Sequence, residues 1–251
     1  MKDITRLLCM VLLSFLVVTG CSRRDILDDY PVSGVEVRLD WSGVTEKLPE
    51  GVRIIFYPKD EKGRKIDTYL SVTGGEVKVP SGHYAVVIYN YDTETVLIRG
   101  EESYETIQAY TNFCKLGIAG TEKMVWGPDP LYVVNIDDLD IQNSEETLIL
   151  KLKPKLVIRT YSFSIKVQGL SNVSNVIGSI GGMADHYFLG KAYAMCDDYP
   201  INIDLNVKAG KIEGVFTTFG LPEAIITRLE IKLPVMMNLM IIKVDNSVQE
   251  V

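Results

Sequence analysis

Apolar residues recur at every second position along most of this chain, and that period limits what it can fold into. Val35, Val37, Leu39 and Trp41 alternate with Glu36, Arg38 and Asp40; Ile201, Ile203, Leu205 and Val207 alternate with Asn202, Asp204 and Asn206. Tyr161, Phe163, Ile165 and Val167 are spaced by Ser162, Ser164 and Lys166, and Leu229, Ile231 and Leu233 by Glu230 and Lys232. Successive side chains of an extended chain point to opposite sides, so each run makes a strand with one face for a core and one for water. Turn residues separate the runs. Gly74-Gly75, between Tyr69–Val72 and Val77–Val79, fits a two-residue hairpin because glycine accepts positive φ. Lys59–Lys65 is a charged loop, Pro80-Ser81-Gly82 leads into a strand over 83–91, and only Glu101–Asn112 suits a short helix. Regularly spaced strands with almost no helix predict an all-β chain of sandwich or barrel type.

The phase of the alternation changes once. Leu148, Leu150 and Leu152 share a face, as do Leu156 and Ile158 beyond Pro154, but from Tyr161 the apolar set sits on odd positions. A one-residue slip moves every side chain to the other face, so the chain must bulge there or pass from one sheet to another. The expected organisation is a β-sandwich over 32–153 and a second over 154–251.

The first thirty residues are a different kind of sequence. Lys2 and Arg6 precede a 12-residue apolar core, Leu7–Val18, the pattern of a secretory signal and too short for the roughly 20 residues of a spanning helix. Val18-Thr19-Gly20-Cys21 looks like a bacterial lipobox, which assigns 1–20 to a signal peptide and Cys21 to lipidation as the first mature residue. Several acyl chains on one residue hold a protein durably on a bilayer. Ser22–Pro31 is polar and reads as a tether, so 21–31 is a lipidated linker. Without residues 1–20 the chain carries 24 basic and 32 acidic side chains, a net charge of −8. That balance argues against nucleic acid as a partner and against adhesion to anionic lipid by charge. Beyond Cys21 only Cys114 and Cys196 remain; they could pair if adjacent, and in separate halves they read as two buried thiols.

No catalytic or cofactor-binding constellation emerges. The two histidines, His83 and His186, belong to no metal-binding helix or nucleophile elbow and are expected to be structural or solvent-facing. Ile136–Asn143 is acidic but lacks the spacing and glycine of a helix-loop-helix calcium site, so a solvated loop is expected. Gly178–Gly182 has no helix after it to present to phosphate and reads as a turn or bulge. The expectation is a protein with no enzymatic activity, no cofactor and no metal. Leu239–Val244 is apolar on both faces and must be covered on two sides, as a central strand of the second sandwich or as a strand shared with a partner. Methionines at 236, 237 and 240 would let it adapt to an irregular groove.

Several stretches together resemble a known family. Leu39–Val44, LPEGVRIIFYP at 48–58, PSGHYAVVIYNYDTETVLIRG at 80–100, Glu105–Thr111 and VSNVIGSIGGMADHYFLG at 173–190 are similar to Bacteroidales outer-membrane lipoproteins of the fimbrial-anchor and fimbrillin-like superfamily, related to type V pili. The resemblance covers most of residues 30–220 and rests on strand and turn residues. It implies two tandem Greek-key sandwiches of transthyretin-like type. It also implies a lipid-anchored place in the outer membrane at the cell surface, and fimbrial or pilin subunits as partners. Of the family's functional residues only Cys21 carries over. The function expected is that of a fimbrial anchor or accessory pilus subunit in adhesion; the alternative is a carbohydrate-binding surface lipoprotein of a glycan-uptake system.

Overall fold

The computed structural model describes residues 32–60, 63–114, 123–168, 170, 176–197, 199–208, 210–222, 228–235 and 238–245. The signal, Cys21 and the tether lie outside them. The strands before residue 154 are β1 (Val32–Leu39), β2 (Gly51–Pro58), β3 (Ile66–Ser71), β4 (Gly74–Pro80), β5 (Gly82–Asn90), β6 (Val96–Arg99), β7 (Gln108–Thr111), β8 (Phe113–Cys114), β9 (Met124–Val125), β10 (Tyr132–Ile141) and β11 (Leu148–Leu152). Those after it are β12 (Lys155–Leu156), β13 (Arg159–Lys166), β14 (Ile177–Gly181), β15 (His186–Phe188), β16 (Tyr193–Met195), β17 (Ile201–Lys208), β18 (Lys211–Thr218), β19 (Arg228–Val235) and β20 (Asn238–Asp245). The fold is all-β, as the alternation requires.

The first sheet runs β11-β1-β4-β3-β2-β5-β10-β12. Strands β1 to β4 stand in the order 1-4-3-2, a Greek key. β3 and β4 pair only at Ser71 and Gly74, so the sheet turns a corner there and doubles over. Val35, Val37, Val77 and Val79 of one layer thereby meet Val52, Ile54, Phe56, Val86 and Ile88 of the other in one core. Trp41, just beyond β1, closes the layers edge-to-face on Tyr132 of β10, with ring centroids 5.3 Å apart.

β2 and β5 are buried on both faces, which explains their apolar runs, IIFY at 54–57 and YAVVIY at 84–89. Ile54, Phe56, Val86 and Ile88 face the first core; Ile55, Tyr57, Ala85, Val87 and Tyr89 face a second. That second face is covered by a four-stranded sheet, β16-β15-β7-β6. Its inner side chains include Val96, Ile98, Ala109 and Tyr187. The small sheet takes two strands from each side of residue 154, joined where Tyr110 of β7 pairs with His186 of β15. Ile158, Ala184, Leu189 and Phe219 belong to the same core.

The last sheet is ordered β13-β18-β17-β14-β19-β20, with β9 added alongside β17. Tyr161, Ile201, Ile203, Ile212, Phe216, Leu229 and Ile231 form its core, odd-numbered on β13, β17 and β19 and even-numbered on β18. The phase shift near Pro154 marks a passage between sheets. β12 pairs with β10 in the first sheet, while β13 pairs with β18 in the last.

Four local expectations are corrected. The β3–β4 turn falls at Val72-Thr73, with Gly74 already opposite Ser71. Gly74 has φ +104°, and a Cβ there would lie 2.0 Å from the carbonyl oxygen of Val37, so glycine serves a close approach to β1. The Glu101–Asn112 segment makes a single turn, in which Ile107 N–H donates to Ser103 O at 3.1 Å, and then enters β7. Ile136–Ile141 is strand and not loop: β10 carries one extra residue against β5 between Ile136 and Leu139. That bulge lets Ile136, Leu139 and Ile141 all turn to the first core and pushes Asp137 and Asp138 outward. Gly178–Gly181, expected to turn, lies in β14, and only Gly182 takes a positive φ.

Candidate interaction surfaces

The sequence-expected lipidation residue, Cys21, lies outside the described residues, so its chemistry rests on the sequence alone. Cys114 and Cys196 are both thiols. Cys114 is buried, which pushes its pKa up, whereas Cys196 is only half-buried.

The two histidines meet separate carboxylates. His83 opens β5 at the surface, with Nδ1 3.4 Å from Asp138 and Nε2 3.8 Å from Asp140. His186 is buried at the centre of the small sheet, and its Nδ1 lies 2.6 Å from Asp185 Oδ1. The other oxygen of Asp185 accepts the backbone N–H of Asp197 at 2.9 Å, and Asp197 Oδ2 stands 3.9 Å from the imidazole. These three side chains bring their ligand atoms within 4.8 Å of one another, but both Asp185 oxygens are engaged, one by the neighbouring imidazole and one by the Asp197 N–H beyond β16. The arrangement orients an imidazole and locks a sheet.

The C-terminal strand departs from the central position weighed for it. β20 pairs with β19 from Val235↔Asn238 to Arg228↔Asp245 and ends the sheet order. Among the described residues nothing pairs with its other side, so a row of backbone N–H and C=O groups faces outward there.

A cavity of ≈ 500 Å³ opens where the β6–β7 connection crosses the ends of β2 and β5. Tyr57, Ala85 and Tyr104 form its floor, the two rings edge-to-face at 6.2 Å. Its wall includes Asp137, which the β10 bulge turns outward and which accepts the Tyr104 hydroxyl at 2.7 Å. Lys191 reaches Glu105 at 2.8 Å on the rim, and Lys65 Nζ donates to the Glu101 carbonyl at 3.1 Å. Arg53 fixes this connection from below: it binds Glu101 through both carboxylate oxygens, Asp67 through both of its own, and the Tyr89 hydroxyl. These hydrogen bonds hold its guanidinium proton more tightly than usual. Burial pushes the hydroxyls of Tyr57, Tyr89 and Tyr104 above the ordinary tyrosine pKa. No part of this cavity was legible in the sequence, because its residues come from five separated segments and share no spacing.

Residues 20–204 match the family described as "Domain of unknown function (DUF5119)". Over 252 aligned residues the chain is 54% identical to a Bacteroides ovatus protein described as "Putative fimbrium anchoring subunit Fim4B", covering 96% of this chain and 76% of that one. Among solved structures, one described as a putative adhesin from Bacteroides ovatus superposes with a TM-score of 0.83 at 50% identity, over 90% of this chain and 87% of that one. The fimbrial anchor protein Mfa2 from Porphyromonas gingivalis gives a TM-score of 0.54 at 14% identity, over 80% and 77% of the two chains, a likeness of fold. The chain belongs to the DUF5119 family.

Proposed function

We propose that this protein is a fimbrial anchor or accessory fimbrial subunit, held in the outer membrane through acyl chains on Cys21 and exposed at the cell surface. The observation that carries the reading is the 54% identity to a protein described as a fimbrium anchoring subunit, extending over almost the whole chain. The architecture suits the role. The first and small sheets share a core, no catalytic set is assembled among the described residues, and among those residues nothing pairs with the outer side of β20. An incoming strand can satisfy such an edge and extend the sheet.

Two measurements test it. Intact-mass analysis of the mature chain should find acyl groups on Cys21; an unmodified chain beginning elsewhere sinks the membrane half of the proposal. Deleting 236–251 should abolish co-purification with fimbrial subunits while the first sheet stays folded. Capture at full affinity by the truncated chain would place the binding edge elsewhere.

A further inference from the structure

The cavity beneath the β6–β7 connection includes neither Cys21 nor any residue of β20. We propose that it binds a neutral saccharide, giving the protein a second, glycan-recognising activity. Its ≈ 500 Å³ falls within the ~300–1,000 Å³ of small-molecule sites.

The charge pattern selects the ligand class. Three ammonium groups, Lys59, Lys65 and Lys191, share the lining with three carboxylates, Glu102, Glu105 and Asp137. An anion entering the cavity meets the carboxylates, and a cation meets the ammonium groups. A hydroxyl donates and accepts at once, so a ring bearing several hydroxyls can satisfy both kinds of group without adding charge. Lys191 and Glu105 form a ready donor–acceptor pair at the mouth, 2.8 Å apart. Lys65 spends one proton on the Glu101 carbonyl and has two more to give. Beneath these groups lie Tyr57, Ala85 and Tyr104, with Lys65 Nζ 5.8 Å from the Tyr57 ring centroid and Lys191 Nζ 5.4 Å from that of Tyr104.

The walls are set before any ligand arrives. Asp137 is aimed by a bulge and pinned by the Tyr104 hydroxyl at 2.7 Å. The adjoining connection is clamped by the two-point contact of Arg53 with Glu101. Preorganised walls of this kind reduce the ordering cost of binding.

Saturation-transfer NMR on the purified full-length chain tests the site without any fimbrial partner, so its outcome is independent of the anchoring proposal. The probes are lactose, maltose and N-acetylglucosamine, with galacturonate and glucosamine as charged comparators. Transfer is expected from at least one neutral sugar, with affinity reduced about tenfold or more by Lys191→Ala and by Glu105→Ala. Both substitutions lie on the exposed rim, and an unchanged thermal melt would verify that each variant is folded. Absence of transfer from all three neutral sugars, tighter binding of either charged sugar, or affinity unaltered by both substitutions overturns the proposal. So does protection of Lys191 from acetylation by a fimbrial subunit but by no sugar, which would assign the cavity to a protein contact.

Discussion

Arg53 joins more of this structure than any other charged side chain described. It lies between Asp67 on β3, Glu101 on the cavity connection and the Tyr89 hydroxyl on β5, with its side chain 17% exposed. Truncation by Arg53→Ala leaves two carboxylates facing each other without a cation. Unfolding free energy should fall by about 1–3 kcal/mol in urea titrations, partial exposure keeping it nearer the lower figure. The raised tyrosines give a pH dependence of defined sign. Tyr57, Tyr89 and Tyr104 hold their protons more tightly folded than unfolded. Their contribution is therefore complete below the ordinary tyrosine pKa of about 10 and is lost as pH rises beyond it towards the folded values. The urea midpoint should drop progressively above about pH 10, and a Tyr57→Phe/Tyr104→Phe variant should lose less over that range. None of these partnerships was readable beforehand, since Arg53 and Glu101 are 48 positions apart.

At the scale of elements, one-faced strands were the legible ones. β1, β13 and β17 turn the residues their alternation marks to a core, Val207 near the exposed end of β17 excepted, because water on one side keeps the polar set out of the core. β10 was misread for a physical reason. Its bulge inserts a residue between Ile136 and Leu139, so the apolar set runs 134, 136, 139, 141 and breaks period two at the two aspartates. In the Glu101–Asn112 segment, Ile107, Ala109 and Thr111 are buried at period two, and pairing with β6 and β15 makes Gln108–Thr111 a strand. Gly74 tests the corner of the first sheet. Gly74→Ala brings a methyl against the Val37 carbonyl at a positive φ and should cost about 1–3 kcal/mol, read as a lower thermal midpoint. Gly82→Ala, where the nearest atom would stand 3.6 Å away, meets no such clash, and its φ of +151° is the only penalty. Equal loss at both sites would contradict this account of the corner.

At the scale of the molecule, the chain passes between sheets from β12 to β13, and we propose that 32–153 and 154–251 are two halves with the small sheet as their joint. Each side contributes two of its strands, so the halves are not independent in the way a linker would make them. A fragment of 32–153 should keep a β-type circular dichroism spectrum but melt below the full chain, because β15, β16 and their share of the second core no longer cover Val87 and Tyr89. Identical melting of fragment and full chain would show that the joint contributes nothing. The sequence also carried the whole of the membrane argument, in Val18–Cys21, while the sheet edge at β20 became visible only from the pairing. Those two ends define the proposed work of the molecule, one held by lipid and the other open to a subunit. The direct measurement is to express Cys21→Ala in place of the native chain and compare cell-bound with shed fimbriae by sedimentation. Fimbriae released into the medium with the protein still at their base is the result expected of an anchor. Fimbriae that remain attached to the cell in the same amount would contradict it.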